Sequence, residues 1–289
     1  GATEESIRAR LGLAPLLAAA GEDAAAISAL DSGLQYGASS QSSELRATLL
    51  PLVVRQALQS DEPARPIVRR AIDEVYVIED ARYRAEALIA IAELYQAGGV
   101  SLSVNGLIQQ AIPAVRSTSG AFRRADMFVR LAGLASATNE TRLTGRLLDN
   151  AVTDVEEAAV PEDREESERL VLVIERLASL GERDAAVDFI ERFSDPYYAA
   201  RANVAFASAT DDQTVRIYHL ELAGDAVERV EEPERALDAH IRIGMGLARA
   251  ESPIRARRHA ETAEELVGAE TTLYSRIEPP ARLAELLVV

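Results

Sequence analysis

The sequence predicts an all-α protein, a right-handed α-solenoid of about seven helix-turn-helix repeats with a C-terminal capping helix and no β-sheet. Apolar residues recur with helical spacing along almost the whole chain. An Arg-Ala dipeptide returns at nearly constant intervals. No segment shows sustained apolar/polar alternation bounded by hairpin turns, which is the pattern typical of a sheet.

Two kinds of amphipathic helix alternate along the chain. Between residues 84 and 96 apolar side chains occupy more than one helical face, which predicts burial on two sides. Leu143, Leu147 and Ala151 instead form a single apolar stripe, which predicts burial on one side. Helix starts are indicated where an acceptor side chain precedes proline, as at Asp195-Pro196.

The Arg-Ala dipeptides define the predicted repeat. They are Arg8-Ala9, Arg46-Ala47, Arg84-Ala85, Arg124-Ala125, Arg201-Ala202 and Arg235-Ala236. The first four follow at intervals of 38, 38 and 40 residues, and the last two are 34 apart. We therefore expect one domain over residues 1–289, with a capping helix at 271–289. Its repeats are expected at approximately 4–41, 42–80, 81–120, 121–160, 161–194, 195–231 and 232–270.

The clearest repeat resembles the tetratricopeptide type, whose pattern is W-x2-L-G-x2-Y, then A-x3-F and P over 34 residues. The matching positions are Leu88, Ile91, Ala92, Tyr95, Gly99, Val104, Ile108 and Ala111. The chain has no Trp and a longer period, so a divergent tetratricopeptide-like or HEAT-like solenoid describes it better. The resemblance is one of fold, and no ligand-binding residue of that family can be transferred to this sequence.

The composition excludes several kinds of chemistry. There is no Cys, and all 31 basic residues are Arg, so thiolate metal sites, cysteine nucleophiles and lysine Schiff bases are excluded. The 47 acidic residues give a net charge of -16, which opposes binding to a nucleic-acid backbone. No apolar run approaches the roughly 18–20 residues needed to span a bilayer. We expect no cofactor and no integral membrane segment.

The three histidines are the first candidates for a metal site. His219, His240 and His259 are separated by 21 and 19 residues, so they fall on three successive predicted helices and can in principle converge. His259 directly follows Arg257 and Arg258, which repel a cation. We therefore expect packed or solvated histidines and no metal site.

Two acidic segments have a structural and a functional interpretation. The run 154–168 can chelate calcium or engage a basic partner, and Asp211-Asp212 is compared with aspartate-rich magnesium motifs. Neither has the full ligand pattern of such sites. A solvated connection and a helix cap, respectively, are the favoured interpretations. No residue is predicted to be catalytic.

A partner-binding surface is expected on the concave side, which the first helices of the repeats line. Its aromatic members are Tyr83, Tyr95, Phe122, Tyr197 and Tyr198, and the alternative is that these rings fill the core. Arg257 and Arg258, with Arg249 and Arg255, form a basic patch for a phosphate or acidic peptide. The alternative for this patch is pairing with nearby glutamates, namely Glu251, Glu261 and Glu264.

The sequence thus favours a noncatalytic scaffold that binds an unidentified protein or peptide along its concave face. One alternative is an α/α enzyme with a carboxylate/arginine pocket, and another is a structural subunit that self-associates through the apolar stretch 283–289. The start at Gly1 without Met favours a processed product, for which an export signal is one candidate. Localisation stays open between the cell envelope and the cytoplasm.

Overall fold

The computed structural model describes residues 3–59, 64–99 and 101–269, which form fourteen α-helices and no strand. The predicted all-α class is therefore confirmed. These residues fall into two compact units, divided between Ala151 and Val152 inside the eighth helix. Unit 1 contains α1 (Glu4–Ala19), α2 (Asp23–Ser39), α3 (Ser43–Leu58), α4 (Arg65–Tyr76), α5 (Ala81–Ala97), α6 (Ser101–Arg116), α7 (Ala121–Ala137) and the start of α8 (Thr141–Glu157). Unit 2 continues with α9 (Arg164–Ser179), α10 (Arg183–Ile190), α11 (Pro196–Ala209), α12 (Gln213–Val227), α13 (Pro233–Arg249) and α14 (Pro253–Ala269).

Each unit repeats one packing pattern. In unit 1, α1, α3 and α5 each pack against the helix that follows, and α1, α3, α5 and α7 also stack on one another. In unit 2, α9, α11 and α13 pack in the same way against α10, α12 and α14 and stack in order. We call the odd-numbered helices first helices. Stacked helix pairs of this kind are a helical-repeat fold.

Some finer parts of the expected architecture stay predictions. These are the handedness of the stack, the division into seven repeats and the single domain. The capping helix expected at 271–289, with the apolar stretch 283–289, lies outside the described residues.

The first helices α3, α5 and α11 are buried on two sides because a neighbour of the same kind lies against each flank. In α5 the buried positions are Ala85, Ala87, Leu88, Ile89, Ile91 and Ala92, as its apolar pattern predicts. In α8 the buried positions Leu143, Leu147 and Ala151 form one stripe, while Arg142 and Arg146 are exposed. The two expected kinds of helix are both present.

The acidic segments cap helices. Asp163, within the acidic run 154–168, accepts a hydrogen bond from Glu166 N at 2.8 Å at the start of α9. Asp212 accepts from the N–H groups of Thr214 and Val215 at the start of α12. The cap predicted at Asp211-Asp212 is therefore confirmed, and Asp163 is a further cap, since both carboxylates satisfy otherwise unpaired donors of a first turn.

The arginines of the Arg-Ala dipeptides hold the turns between helix pairs of unit 1. Arg46, Arg84 and Arg124 are each the fourth residue of a first helix, and each donates to the carbonyl six residues earlier. The acceptors are the oxygens of Ser40 (2.8 Å), Ile78 (2.7 Å) and Thr118 (3.3 Å). These guanidinium groups satisfy carbonyls that follow the end of the preceding helix. We call this contact the arginine clamp.

Removing a clamp should lower stability measurably. Arg46 makes two such bonds, to Ser40 O and Ala38 O. We expect Arg46→Met, which keeps an unbranched apolar stem, to lower the free energy of unfolding by about 2 kcal/mol because part-buried carbonyls lose charged donors. Urea unfolding followed by circular dichroism measures the change. The exposed Arg10 of α1 is the matched position, and Arg10→Met should change stability by less than about 0.5 kcal/mol. Equal effects of the two substitutions would contradict the clamp.

Close approach of α1 and α2 requires a glycine at position 33. A Cβ atom there would lie 2.5 Å from Leu11 Cδ2, and Leu11 is fully buried. Gly33→Ala should therefore lower the free energy of unfolding by about 1–3 kcal/mol through overpacking. Gly133, inside α7, has no atom within 4 Å of such a Cβ, so Gly133→Ala should raise it by about 0.5–1 kcal/mol. Calorimetric melting of the two variants checks the opposite signs.

Candidate functional site

The predicted aromatic residues of unit 1 do not form one surface. Phe122 is 3% exposed and its ring belongs to the core, in agreement with the alternative interpretation. Tyr83 lies at the start of α5, part-exposed, with the Arg82 guanidinium 5.1 Å from its ring centre. Tyr95 lies near the end of the same helix, about 18 Å away along the axis, where burial raises its pKa. A partner role for Tyr83 and Tyr95 stays a prediction.

In unit 2 the two adjacent tyrosines differ in exposure. Tyr198 is 4% exposed and stacks on Phe193 at 6.1 Å. Tyr197 is part-exposed, and its hydroxyl donates to Asp238 Oδ2 at 2.9 Å. The guanidinium groups of Arg201 and Arg235 flank the Tyr197 ring at 5.5 and 5.3 Å. Tyr197 therefore joins α11 to α13 through contacts that the protein itself supplies.

The surroundings of Tyr197 keep its hydroxyl group protonated near neutral pH. Burial, followed by the charge and hydrogen bond of Asp238, raises the pKa of Tyr197 to about 12. Asp238 also accepts from Arg242 Nε at 2.7 Å, and Arg201 pairs with Glu168 of α9 at 2.5 Å. The phenol therefore stays protonated near neutral pH, and the row of charges connects three first helices.

A groove crosses the first helices α1, α3 and α5 of unit 1. It has a volume of about 430 Å³ and an aliphatic floor. We call it the first-helix groove, and its lining residues are Arg8, Ala47, Thr48, Pro51, Leu52, Arg55, Ala90, Glu93 and Leu94. Sequence reasoning missed it, although Thr48, Leu52 and Arg55 share one face of α3 by their i, i+4 and i+7 spacing.

The charges of the first-helix groove leave it locally positive. Glu93 accepts hydrogen bonds from two guanidinium nitrogens of Arg130, Nε at 2.9 Å and Nη2 at 2.8 Å. Burial alone would lower the pKa of Arg130, but the hydrogen bond and charge of Glu93 raise it above its ordinary value. Arg8 donates to Glu4 and Thr48, and Arg55 is exposed with no ion-pair partner in the described part of the chain. The floor is thus apolar, its one carboxylate is neutralised, and Arg55 is available.

Two of the three histidines meet in unit 2. His240 of α13 and His259 of α14 place their Nδ1 atoms 2.8 Å apart, with ring centres at 5.1 Å. His219 of α12 instead faces α11, where its Nδ1 lies 2.8 Å from Asn203 Oδ1 and its ring lies against Phe206. The possible convergence of all three is therefore realised for His240 and His259 alone.

The histidine pair lies in a cleft of about 630 Å³ between α12, α13 and α14, which we call the histidine cleft. Glu221 and Asp225 of α12 line it together with Glu228, the C-cap residue of that helix, at i, i+4 and i+7. Arg255 and Arg258 line it from α14. Arg255 pairs with Glu221 across the cleft at 2.5 Å, and not with the glutamates of its own helix.

Both imidazoles of the pair are neutral near pH 7. Burial, followed by the charges of His240 and Arg258, lowers the pKa of His259 to about 4. Burial also lowers the pKa of His240, partly offset by Glu228. In a neutral pair one Nδ1 donates and the other accepts, so one Nε2 is left as a donor and the other as an acceptor. The pair therefore offers both hydrogen-bonding roles to the cleft.

The arginines of the predicted basic patch do not all line one site. Arg258 lines the histidine cleft, whereas Arg257 is exposed outside that lining. Within the described ranges, no group of three or more His, Asp or Glu side chains is arranged to hold a metal ion. The expected absence of a metal and of a cofactor stays a prediction. None of the helices in those ranges is both long enough and apolar enough to cross a bilayer.

Comparison with known proteins assigns this chain to no family. The chain matches no protein-family model and no curated protein. Among solved structures it is similar to a circular tandem repeat protein with novel repeat topology and enhanced subunit contact surfaces. The identity is 16%, over 98% of this chain and 81% of that one, with a TM-score of 0.33.

The histidine pair makes stability depend on pH. Its folded-state pKa values lie below the ordinary 6.5, so the unfolded chain binds more protons below that pH. The contribution of the pair to the free energy of unfolding is therefore fully present above about pH 6.5 and is lost as the pH falls towards about 4. We expect the free energy of unfolding, measured by urea titration at about pH 7 and about pH 4.5, to fall more in the native chain than in His259→Gln. The same fall in both proteins would contradict this assignment, because their carboxylates are identical.

Proposed function

We propose that this protein is a noncatalytic scaffold whose first-helix groove binds an acidic, aliphatic peptide segment of a partner. The observation that supports the proposal is the groove itself, which combines an apolar floor with the exposed Arg55 on three stacked helices. Stacked repeats build extended surfaces of this kind, which many helical-repeat proteins use for binding.

The occupant follows from the lining. Leu52, Leu94 and Pro51 suit aliphatic side chains, and Arg8 and Arg55 suit carboxylates. First helices packed 8–10 Å apart make the crossing from α1 to α5 about 16–20 Å long, which an extended segment of about six residues spans. The net charge of the chain is -16, so its acidic surfaces repel an acidic segment. The local positive charge of the first-helix groove therefore favours binding of such a segment at the groove over binding elsewhere on the protein.

The lining also supports a noncatalytic role. Its hydroxyl, Thr48, accepts from Arg8 and donates to Leu45 O, and its carboxylate, Glu93, is held by Arg130. Neither group is prepared as a nucleophile or as a general base, because each is already engaged in hydrogen bonds. What the groove supplies is shape and charge.

An α/α enzyme with a carboxylate/arginine pocket is the second candidate function. The observation that favours it is the histidine cleft, where neutral imidazoles adjoin carboxylates and arginines. A neutral imidazole can accept a proton, but the lowered pKa values make both rings of this pair weaker bases than a free imidazole. The cleft shows no residue prepared as a nucleophile, so the scaffold is the better supported function.

A random peptide-display library, panned on the native chain, tests the scaffold proposal. Enriched peptides should combine Asp or Glu with Leu, Ile or Val, and synthetic copies should bind at least about tenfold more weakly to Arg55→Glu, a loss of about 1.4 kcal/mol. The matched control is Arg142→Glu, an exposed arginine of α8 outside the groove, which should bind as the native chain does. The proposal fails if nothing is enriched, or if both variants bind the peptides equally.

A further inference from the structure

Opposite charges stand in the histidine cleft without pairing. Glu228 and Asp225 are exposed on the α12 wall, and Arg258 is exposed on the α14 wall. None of the three has an ion-pair partner within the described ranges. The neighbouring Arg255 and Glu221, from the same two walls, do pair. One ion pair therefore bridges the two walls of the cleft, and the other charged side chains remain unpaired.

The unpaired acidic and basic side chains stand on different helices that line the cleft. The charge of Glu228 acts on His240, and that of Arg258 acts on His259. The two imidazoles, with ring centres 5.1 Å apart, line the same cleft as these charges. The cleft therefore carries unpaired charge of both signs, which we call its negative and its positive pole.

We propose that the histidine cleft binds a small zwitterion, with its carboxylate on Arg258 and its ammonium group on Glu228 and Asp225. A ligand of this class replaces the missing ion pair by supplying both countercharges at once. This inference is independent of the proposed peptide binding, because the two sites lie in different units.

The cleft suits such a ligand in size and in hydrogen bonding. Its volume of about 630 Å³ lies in the range of small-molecule sites. The neutral histidine pair offers one donor and one acceptor without adding charge, and Thr262 adds a hydroxyl. Arginine binds a carboxylate through two parallel hydrogen bonds, which fixes the ligand's direction. A singly charged molecule leaves one pole unpaired and should bind more weakly.

Titration of the histidine ring signals by NMR tests the proposal at neutral pH and low salt. The probe is 6-aminohexanoate, with hexanoate and hexylammonium as the single-charge comparisons. The chain has three histidines, so each ring signal is assigned with one His→Gln variant. We expect 6-aminohexanoate to shift the His240 and His259 signals saturably, with a Kd of about 1–10 mM. His219, buried against Asn203 and Phe206, is the internal control and should not shift.

Charge-removing variants make the test specific. Arg258→Gln and Glu228→Gln should each weaken 6-aminohexanoate at least about tenfold. In Arg258→Gln, 6-aminohexanoate should bind no better than hexylammonium. In Glu228→Gln, it should bind no better than hexanoate. Arg257→Gln and Glu261→Gln are the matched controls, because these exposed side chains do not line the cleft. They should bind as the native chain does.

Several results would overturn the proposal. These are no shift with any probe, equal binding of the zwitterion and a single-charge probe, a matching shift of His219, or equal losses in Arg257→Gln and Arg258→Gln. Far-ultraviolet circular dichroism confirms that each variant is folded. Peptide binding to the native chain and to Arg55→Glu separates the two proposals, because a failure here leaves the result for the first-helix groove unchanged.

Discussion

The burial of a first helix between two others, as in α3, α5 and α11, is the constraint on which the rest of the structure depends. In α5, small and aliphatic residues cover the flanks that α3 and α7 contact, and Ala85, Ala87 and Ala92 are completely buried. Polar side chains are thereby confined to the narrow stripe that neighbouring first helices leave uncovered. The groove of unit 1 and the charge rows within each unit therefore run across first helices, as the Arg130–Glu93 and Tyr197–Asp238 contacts do.

Periodicity predicts the helices, their caps and the two kinds of burial, because these depend on residues close together in sequence. It does not predict what an Arg-Ala arginine contacts. Arg46 and Arg84 donate to turn carbonyls, whereas Arg201 pairs with Glu168 of another helix pair and Arg235 pairs with Asp195. A guanidinium group on a long flexible stem takes whichever acceptor the neighbouring repeat brings within reach, and one repeat cannot show this.

The candidate sites were harder to predict for the same reason. Spacings of 21 and 19 residues place the three histidines on successive helices, but the rotation of each helix decides which rings meet. His219 turns towards α11, while His240 and His259 turn towards each other. The first-helix groove depends on the relative positions of three helices, so sequence reasoning selected aromatic rings, of which Phe122 and Tyr198 proved buried.

The net charge of -16 hides how the arginines are used. Most arginine contacts described above are internal, either clamps on carbonyls or ion pairs with carboxylates. In a chain with more acids than bases and no lysine, a guanidinium group has many possible partners close by. An arginine that lines a concavity and remains unpaired, as Arg55 and Arg258 do in the described part of the chain, is therefore informative. Its unpaired charge is the local positive potential on which both proposed binding sites depend.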